Sequence, residues 1–305
     1  MSAAGKVVFV GAGSMGWQLC RRIVGSGADV LLHDMDTALV HRCVAEGQAE
    51  GGGLQGSLAA ATSAGAPSLA EAARDADFVV TCLPNSNIVA AVKREIGAAL
   101  PGGAVWVDAT SGDPSQSKEL ASCLAAQETN PVAFLDVAVS GGPAGAANGK
   151  LTAMVGGGEE AFERAEPMIG SFASTIVHLG PAGSGHAVKA INNTLMAANI
   201  WTATEGLLAL VKHGVDPTKA AAAISASSGR SWATQQRIPD HVLPRCVRAA
   251  VVRSAKRGSA KRGAGGVVWS VARGTVDRVL QCSVTVECYS GVLQCSATMY
   301  YGVLV

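Results

Sequence analysis

Aromatic and charged residues are both scarce in this sequence of 305 residues. Aromatic side chains make up 4% of it and charged side chains 15%, whereas 49% of the residues are hydrophobic. Disordered chains have the opposite composition, so this balance predicts a folded protein with a large core. The length suggests about two domains. A net charge of only +1 argues against a dedicated binder of nucleic acid or another polyanion.

Long apolar runs and clustered cysteines are also missing. No uninterrupted apolar run reaches the roughly 18 residues of a membrane span, so no membrane association is predicted. A strand-like run begins at Lys6, which leaves no room for a presequence and favours a cytoplasmic protein. None of the eight cysteines forms a CxxC pair or a zinc-type spacing. Reduced thiols and the absence of a metal site are therefore expected.

What is present first is a strand, a glycine turn and a helix. The β-branched run Lys6–Val10 leads directly into the glycine turn, and a helical pattern follows it. In such a turn the first glycine allows a tight bend and the second lets the backbone approach a pyrophosphate. The third lets helix and strand pack closely. The predicted cofactor-binding residues of the turn are Gly11, Ala12, Gly13, Ser14, Met15 and Gly16.

Asp34 ends the next apolar run, where a carboxylate would accept hydrogen bonds from the ribose hydroxyls of a dinucleotide. Met35 follows it, and no adjacent arginine is present to neutralise a 2′-phosphate. The pattern therefore favours NAD over NADP. A competing interpretation of Asp34 as a helix cap is weaker, because Asp36 precedes Thr37 and is better placed to cap.

Two later strands end in candidate cofactor contacts. Leu83-Pro84 lies at the end of the apolar run Asp77–Leu83, and Thr110-Ser111 follows Ala104–Asp108. Ligands of open parallel sheets lie at the carboxyl ends of the strands. Position alone leaves a second interpretation open, in which both pairs are plain loops between strands and helices.

The second half of the chain contains a candidate anion cradle and a candidate catalytic lysine. Ser140-Gly141-Gly142 offers a hydroxyl and two backbone N–H groups after a strand. The stretch from Gly180 to Gly214 predicts one long helix that carries Lys189 and, four residues later, Asn193. That spacing places both side chains on one helical face. A lysine in apolar surroundings can act as a general base, because burial lowers the pKa of the amine.

Four motifs occur in one order: the glycine turn, D-x-x-V-S-G-G from Asp136, a glycine-rich stretch after Gly149, and G-x-x-G-x-G-x-x-x-K-x-x-x-N from Gly180. Together they resemble the β-hydroxyacid dehydrogenase family, to which 3-hydroxyisobutyrate dehydrogenase belongs. The resemblance runs from about Lys6 to about Arg245. One departure is Ala138, where the family usually has proline.

The resemblance implies an α/β fold, with a Rossmann-type doubly wound sheet, a long helix and an all-helical domain that is incomplete here. It implies that Lys189 is the general acid/base, that Asn193 holds the substrate and that Ser140, Gly141 and Gly142 bind the substrate carboxylate. The implied partners are a small 3-hydroxy acid or its semialdehyde and a second copy of the chain. The predicted domains are 1–179 for the dinucleotide, 180–245 for the helices and 246–305 for an atypical tail.

The tail departs from the family pattern. From Arg245 onward the chain carries nine basic residues against two acidic ones, a charge of +7, which leaves −6 on residues 1–244. Val279–Gly291 is nearly repeated as Val292–Gly302, and the second lysine motif of the family is missing. Two interpretations stay open: a basic linker with a β-hairpin-like tail, or a segment that is not native coding sequence. The second gives an alternative function, an NAD-binding remnant without turnover.

Overall fold

A computed structural model describes residues 5–49, 56–61 and 68–244, and the elements below belong to these ranges. The tail from residue 246 onward lies outside them. The strands are β1 (Lys6–Val10), β2 (Asp29–His33), β3 (Leu58–Ala60), β4 (Phe78–Thr81), β5 (Val105–Asp108), β6 (Ala133–Ser140), β7 (Leu151–Gly156) and β8 (Ala173–His178). The helices are α1 (Ser14–Gly25), α2 (Thr37–Ala49), α3 (Leu69–Ala73), α4 (Ser86–Ile96), α5 (Pro114–Ala125), α6 (Gly142–Ala147), α7 (Glu159–Gly170), α8 (Ser184–Lys212) and α9 (Pro217–Ser225). A 3₁₀ turn (Gly97–Ala99) and a π-helix (Ala233–Val242) complete them.

The eight strands form one sheet in the order β3-β2-β1-β4-β5-β6-β7-β8. Every neighbouring pair is parallel except β6 and β7, which run antiparallel. The first six strands have the order of a doubly wound dinucleotide-binding sheet. The fold class predicted from the sequence is confirmed. The carboxyl ends of β1, β2, β4, β5 and β6 share one edge, because these strands are all parallel.

Alternate residues of the strands enter two separate cores. Val7 and Phe9 of β1 pack with α1, α2, α6 and α7, whereas Val8 and Val10 pack with α3, α4 and α5. This follows from the two-residue period of a strand, which sends successive side chains to opposite faces of a sheet. Helices therefore cover both faces, as a mostly parallel sheet requires.

The chain divides into two compact units, and among the described residues the first ends at Ile191 and the second begins at Asn192. The second unit has its own small core of Leu207, Ala220, Ala221 and Ile238. Asp216 caps α9 by accepting hydrogen bonds from the amides of Thr218 and Lys219, both at 2.9 Å. The domain boundaries at 179 and 245 stay predictions.

The structure adds elements that the sequence patterns did not predict. β3 lies in a stretch rich in Gly, Ala and Ser that predicts only a loop or a frayed helix end.

Helix α8, of 29 residues, is the one described helix long and apolar enough to cross a membrane, with a mean hydropathy of 1.3 over its most apolar window. This rests on length and composition alone, and only 11% of that window is buried.

Candidate functional site

The glycine turn has the close contacts that its sequence predicts. The amide of Gly11 donates to the carbonyl of His33 at 2.8 Å, and its φ of 112° is a value that side chains rarely adopt. A Cβ atom on Gly11 would collide with the carbonyl of Cys82, and one on Gly16 would collide with the carbonyl of Gly11. The first and third glycines are thus needed for the turn to form against β4 and α1.

The N-terminus of α1 fits a dinucleotide pyrophosphate. Gly13 caps this helix without a side-chain hydrogen bond, and no acidic residue lies in the first turn. A Cβ atom built on Gly13 would meet nothing within 4 Å. An open helix N-terminus with exposed backbone offers N–H groups and positive potential to phosphate oxygens. The residues present therefore suit the diphosphate of a nicotinamide dinucleotide.

Asp34 is joined directly to the glycine turn. Its Oδ2 accepts a hydrogen bond from the amide of Ala12 at 2.8 Å, and its Oδ1 accepts one from the amide of Asp36 at 3.0 Å. Met35 beside it is 94% exposed. Asp36 caps α2 through the amide of Leu39 at 2.9 Å, as the sequence predicts. Asp34 is therefore not the cap of α2, and its half-buried carboxylate orders the glycine turn.

Leu83 and Thr110 are brought together by a buried acid. The amide of Leu83 donates to Thr110 Oγ1 at 3.1 Å. Asp108, which ends β5, accepts hydrogen bonds at Oδ1 from Thr81 Oγ1 at 2.8 Å and from the amide of Thr110 at 3.1 Å. Burial raises the pKa of Asp108 above the usual aspartate range, although the nearby His186 acts in the opposite direction. Asp108 thus fixes the two loops in which these candidate contacts lie.

The remaining candidate contacts of these two loops, Pro84 and Ser111, are exposed at the same edge of the sheet.

The candidate anion cradle follows β6. Ser140 is the last residue of that strand, and Gly141 and Gly142 have φ values of 132° and 68°. Successive backbone N–H groups with positive φ can form a concave anion site.

Lys189 lies half-buried in the second turn of α8. Asn193, one turn later and also half-buried, belongs to the second compact unit. The start of α8 is held by Asp136 of β6, which is fully buried. Asp136 Oδ1 accepts a hydrogen bond from the amide of Gly183 at 2.7 Å, and Oδ2 accepts one from the amide of His186 at 2.8 Å.

Three residues around this helix start have roles that the sequence patterns missed. His186 reads as an ordinary polar residue in the sequence but is only 1% exposed, and its Nδ1 lies 2.7 Å from Ser117 Oγ. The sequence contains one indication of a role for Asp108 and Asp136, because each is an acidic residue within an apolar strand. A buried acid needs a partner. Nothing in the sequence indicates which partners those are.

The doubly wound sheet and its open glycine turn define a dinucleotide-binding protein of the Rossmann class. Comparison with family models agrees. Residues 6–180 match the model described as the NAD binding domain of 6-phosphogluconate dehydrogenase. Residues 183–251 match the model described as NAD-binding of NADP-dependent 3-hydroxyisobutyrate dehydrogenase.

Individual relatives narrow the class. The chain is 33% identical over 241 residues to 2-(hydroxymethyl)glutarate dehydrogenase of Eubacterium barkeri, a match that covers 78% of this chain and 74% of the relative. It is 31% identical to the mitochondrial 3-hydroxyisobutyrate dehydrogenase of Rattus norvegicus, over 77% of this chain and 65% of the relative. The chain belongs to the β-hydroxyacid dehydrogenase family, a family of NAD- or NADP-dependent oxidoreductases.

Solved structures show the same fold. A 3-hydroxyisobutyrate dehydrogenase from Salmonella typhimurium superposes with a TM-score of 0.63 at 25% identity, over 83% of this chain and 87% of that one. The corresponding enzyme of Mycobacterium tuberculosis gives a TM-score of 0.66 at 24% identity, over 85% of this chain and 89% of that one.

Proposed function

We propose that the protein oxidises a small 3-hydroxy acid to its semialdehyde, or runs the reverse reduction, with Lys189 as the general acid/base. The relatives named above include dehydrogenases of 3-hydroxyisobutyrate and of 2-(hydroxymethyl)glutarate. Both compounds carry a carboxylate and a hydroxymethyl group on the same carbon. The proposal therefore concerns a site that grips a carboxylate and removes a hydroxyl proton nearby.

The observation that carries the proposal is the anchoring of α8 on β6. Asp136 of this strand holds the first turn of the helix that carries Lys189. The same strand ends at Ser140, the first residue of the anion cradle. One rigid strand thus supports both parts of the proposed site, as precise positioning of reacting groups requires.

Each group has one task. Bound NAD supplies the acceptor for the hydride that leaves C3. The Ser140 hydroxyl and the backbone amides of Gly141 and Gly142 hold the substrate carboxylate. The neutral amine of Lys189 takes the proton of the C3 hydroxyl as the C=O bond forms, and it returns that proton in the reverse direction. Asn193, one turn along the helix, holds the substrate from the same face.

NAD is the cofactor that the residues favour. A bound 2′-phosphate would lie near the Asp34 carboxylate, which repels it. The neighbouring side chain, Met35, is 94% exposed and carries no charge that could bind a phosphate. We therefore expect a lower kcat/KM with NADP than with NAD in the same assay.

The test compares the chain with Lys189→Ala, using NADH formation from 3-hydroxyisobutyrate and close 3-hydroxy acids. Loss of the general base should lower kcat by about 10²-fold or more. The Kd for NADH should stay within about twofold, because the cofactor contacts lie elsewhere. Lys219→Ala is the matched control, since Lys219 is an exposed lysine of α9. It should leave kcat unchanged.

The alternative function, cofactor binding without turnover, predicts a different result. A remnant that binds the cofactor without turnover would bind NADH and form none from any 3-hydroxy acid, and Lys189→Ala would then change nothing measurable. Turnover that survives in Lys189→Ala would instead show that another group moves the proton.

A further inference from the structure

Both carboxylate oxygens of Asp136 accept hydrogen bonds from the start of one helix, α8. Asp136 lies in the middle of β6 with 0% of its surface exposed. Its two oxygens accept hydrogen bonds of 2.7 Å and 2.8 Å from the amides of Gly183 and His186. These amides belong to the start of α8, where helical N–H groups have no partner within the helix. The helix is therefore attached to the sheet at two points.

This attachment is strong for electrostatic reasons. A carboxylate at a helix N-terminus interacts favourably with the positive end of the helix dipole, and hydrogen bonds to a charged acceptor are the stronger kind. Both partners are buried, so loss of one acceptor oxygen would leave a buried N–H group unsatisfied. Two hydrogen bonds from one rigid strand fix both the distance of the first helical turn from the sheet and its rotation about the helix axis.

Glycine contacts leave the helix little room to shift. Gly156, which lies opposite Asp136 in the β6–β7 pair, could not carry a Cβ atom, because that atom would lie 2.5 Å from Asp136 Oδ1. A Cβ atom on Gly185 would collide with the carbonyl of Met154 and would lie 2.6 Å from the carbonyl of Asp136. The helix backbone therefore rests directly on the two strands.

A second contact holds the same turn from α5. His186 is 1% exposed, and its Nδ1 lies 2.7 Å from Ser117 Oγ. Ser117 Oγ also donates to the carbonyl of Asp113 at 3.0 Å, within the first turn of α5. The backbone amide of His186 is bound to β6 and its ring is bound to α5.

From these contacts we infer that Asp136 is the positioning residue for Lys189. Lys189 lies three residues after His186, or about 4.5 Å along the helix axis at a rise of 1.5 Å per residue. Any tilt or rotation of the first turn therefore moves the amine relative to the cradle at the end of β6. The inference rests on the proposed role of Lys189, and it gives a task to the first residue of the D-x-x-V-S-G-G motif.

The test is a double-mutant cycle of Asp136→Asn and Lys189→Ala. Asn keeps the shape of Asp but replaces one acceptor oxygen by an NH₂ group that faces an N–H. A misplaced amine should lower kcat by about 10- to 100-fold, while the KM for NAD stays within about twofold. Because Asp136 acts through Lys189, the double variant should be no slower than Lys189→Ala alone. Hydrogen exchange at the amides of residues 183–189 should become faster in Asp136→Asn.

Asp216→Ala is the matched control. It also removes the acceptor for two first-turn amides, but from α9, which does not carry the lysine. It should leave kcat unchanged even if the melting temperature falls. A purely structural role for Asp136 would instead make the two variants alike. Should Asp136→Asn fail to fold, Asp136→Ser takes its place, because its hydroxyl can still accept a hydrogen bond and leaves room for water.

The outcomes separate the two claims. If Lys189→Ala loses turnover while Asp136→Asn keeps both kcat and exchange protection, the proposed function stands and this inference is overturned. Additive losses in the double variant overturn it too, because Asp136 would then act by a separate route. If the chain has no turnover, or if Lys189→Ala keeps it, the proposed function fails, and the positioning role fails with it.

Discussion

Two buried carboxylates lie side by side on neighbouring strands, and their environments differ. Asp108 of β5 and Asp136 of β6 are aligned partners in the parallel pair. Asp136 accepts hydrogen bonds from two amides at the start of α8. Asp108 is bonded to Thr81 and Thr110, and burial nevertheless raises its pKa. One acid anchors a helix, and the other orders the two loops after β4 and β5.

The raised pKa of Asp108 predicts a pH-dependent stability. Between the unfolded pKa of about 3.9 and the higher folded pKa, the folded state keeps a proton that the unfolded chain has lost. The free energy of unfolding should therefore fall as pH rises through that window, by about 1.4 kcal/mol for each pH unit within it. Asp108→Asn should remove this part of the slope, because the amide does not titrate and still accepts both bonds at Oδ1.

Denaturant unfolding of both proteins from pH 4 to pH 8 measures the effect as a difference between two curves. Asp75→Asn is the control, since the Asp75 side chain is 78% exposed and should keep the slope of the parent chain. A difference between Asp108→Asn and the parent that does not change with pH would contradict the prediction.

At the scale of elements, two glycines of the turn before α1 have different roles, although they belong to one sequence motif. A Cβ atom on Gly16 would collide with the carbonyl of Gly11, whereas one on Gly13 would meet nothing within 4 Å. The φ of Gly13 is −60°, which any residue can adopt. Gly16 is therefore needed for α1 to pack closely against the turn, whereas we expect Gly13 to matter only when a phosphate approaches.

Gly13→Ala should keep the melting temperature within a few degrees and weaken NADH binding by about tenfold or more, because the methyl group occupies the phosphate approach. Gly16→Ala should lower both the melting temperature and the affinity, since α1 must move away from the turn. Thermal unfolding and NADH titration of the two variants test the difference. Equal losses of stability in both would contradict it.

The elements also show where sequence reasoning ended. Strands β1, β2, β4 and β5 could be predicted because each contains a short apolar run before a turn signal. β3 could not, because the short run Leu58–Ala60 in a small-residue stretch gains its strand form only by pairing with β2. The antiparallel direction of β7 was equally invisible, since a strand has the same periodicity in either direction.

Sequence patterns likewise indicate some residues of the candidate site and not others. The glycine turn, Asp34 and Lys189 stand in local motifs whose spacing has a physical reason, so the sequence indicates them. Asp136, Ser117 and His186 meet from β6, α5 and α8. Their partnership depends on contacts between elements up to 69 residues apart, which no local pattern records.

At the scale of the whole molecule, the proposed functions of cofactor binding and catalysis depend on different lengths of chain. Every candidate cofactor residue precedes Ile191, the last described residue of the first compact unit. The proposed substrate residue Asn193 and the described helices that follow it belong to the second unit. Cofactor affinity should therefore be less sensitive than turnover to changes beyond the described range, which ends at residue 244.

A chain that ends at Pro244 tests this division. It should bind NADH with a Kd within about twofold of the full chain at physiological salt, because none of the proposed contacts is removed. The deleted segment carries a charge of +7 and NADH is an anion, so nonspecific attraction by the tail would appear as tighter binding at low salt only. Titrations of both chains at low and physiological salt separate these effects. Weaker binding by the shortened chain at every salt concentration would show that the tail supports the cofactor site. Equal kcat values for the two chains would show that it is dispensable for catalysis, whereas turnover by the full chain alone would identify it as a functional part of the enzyme.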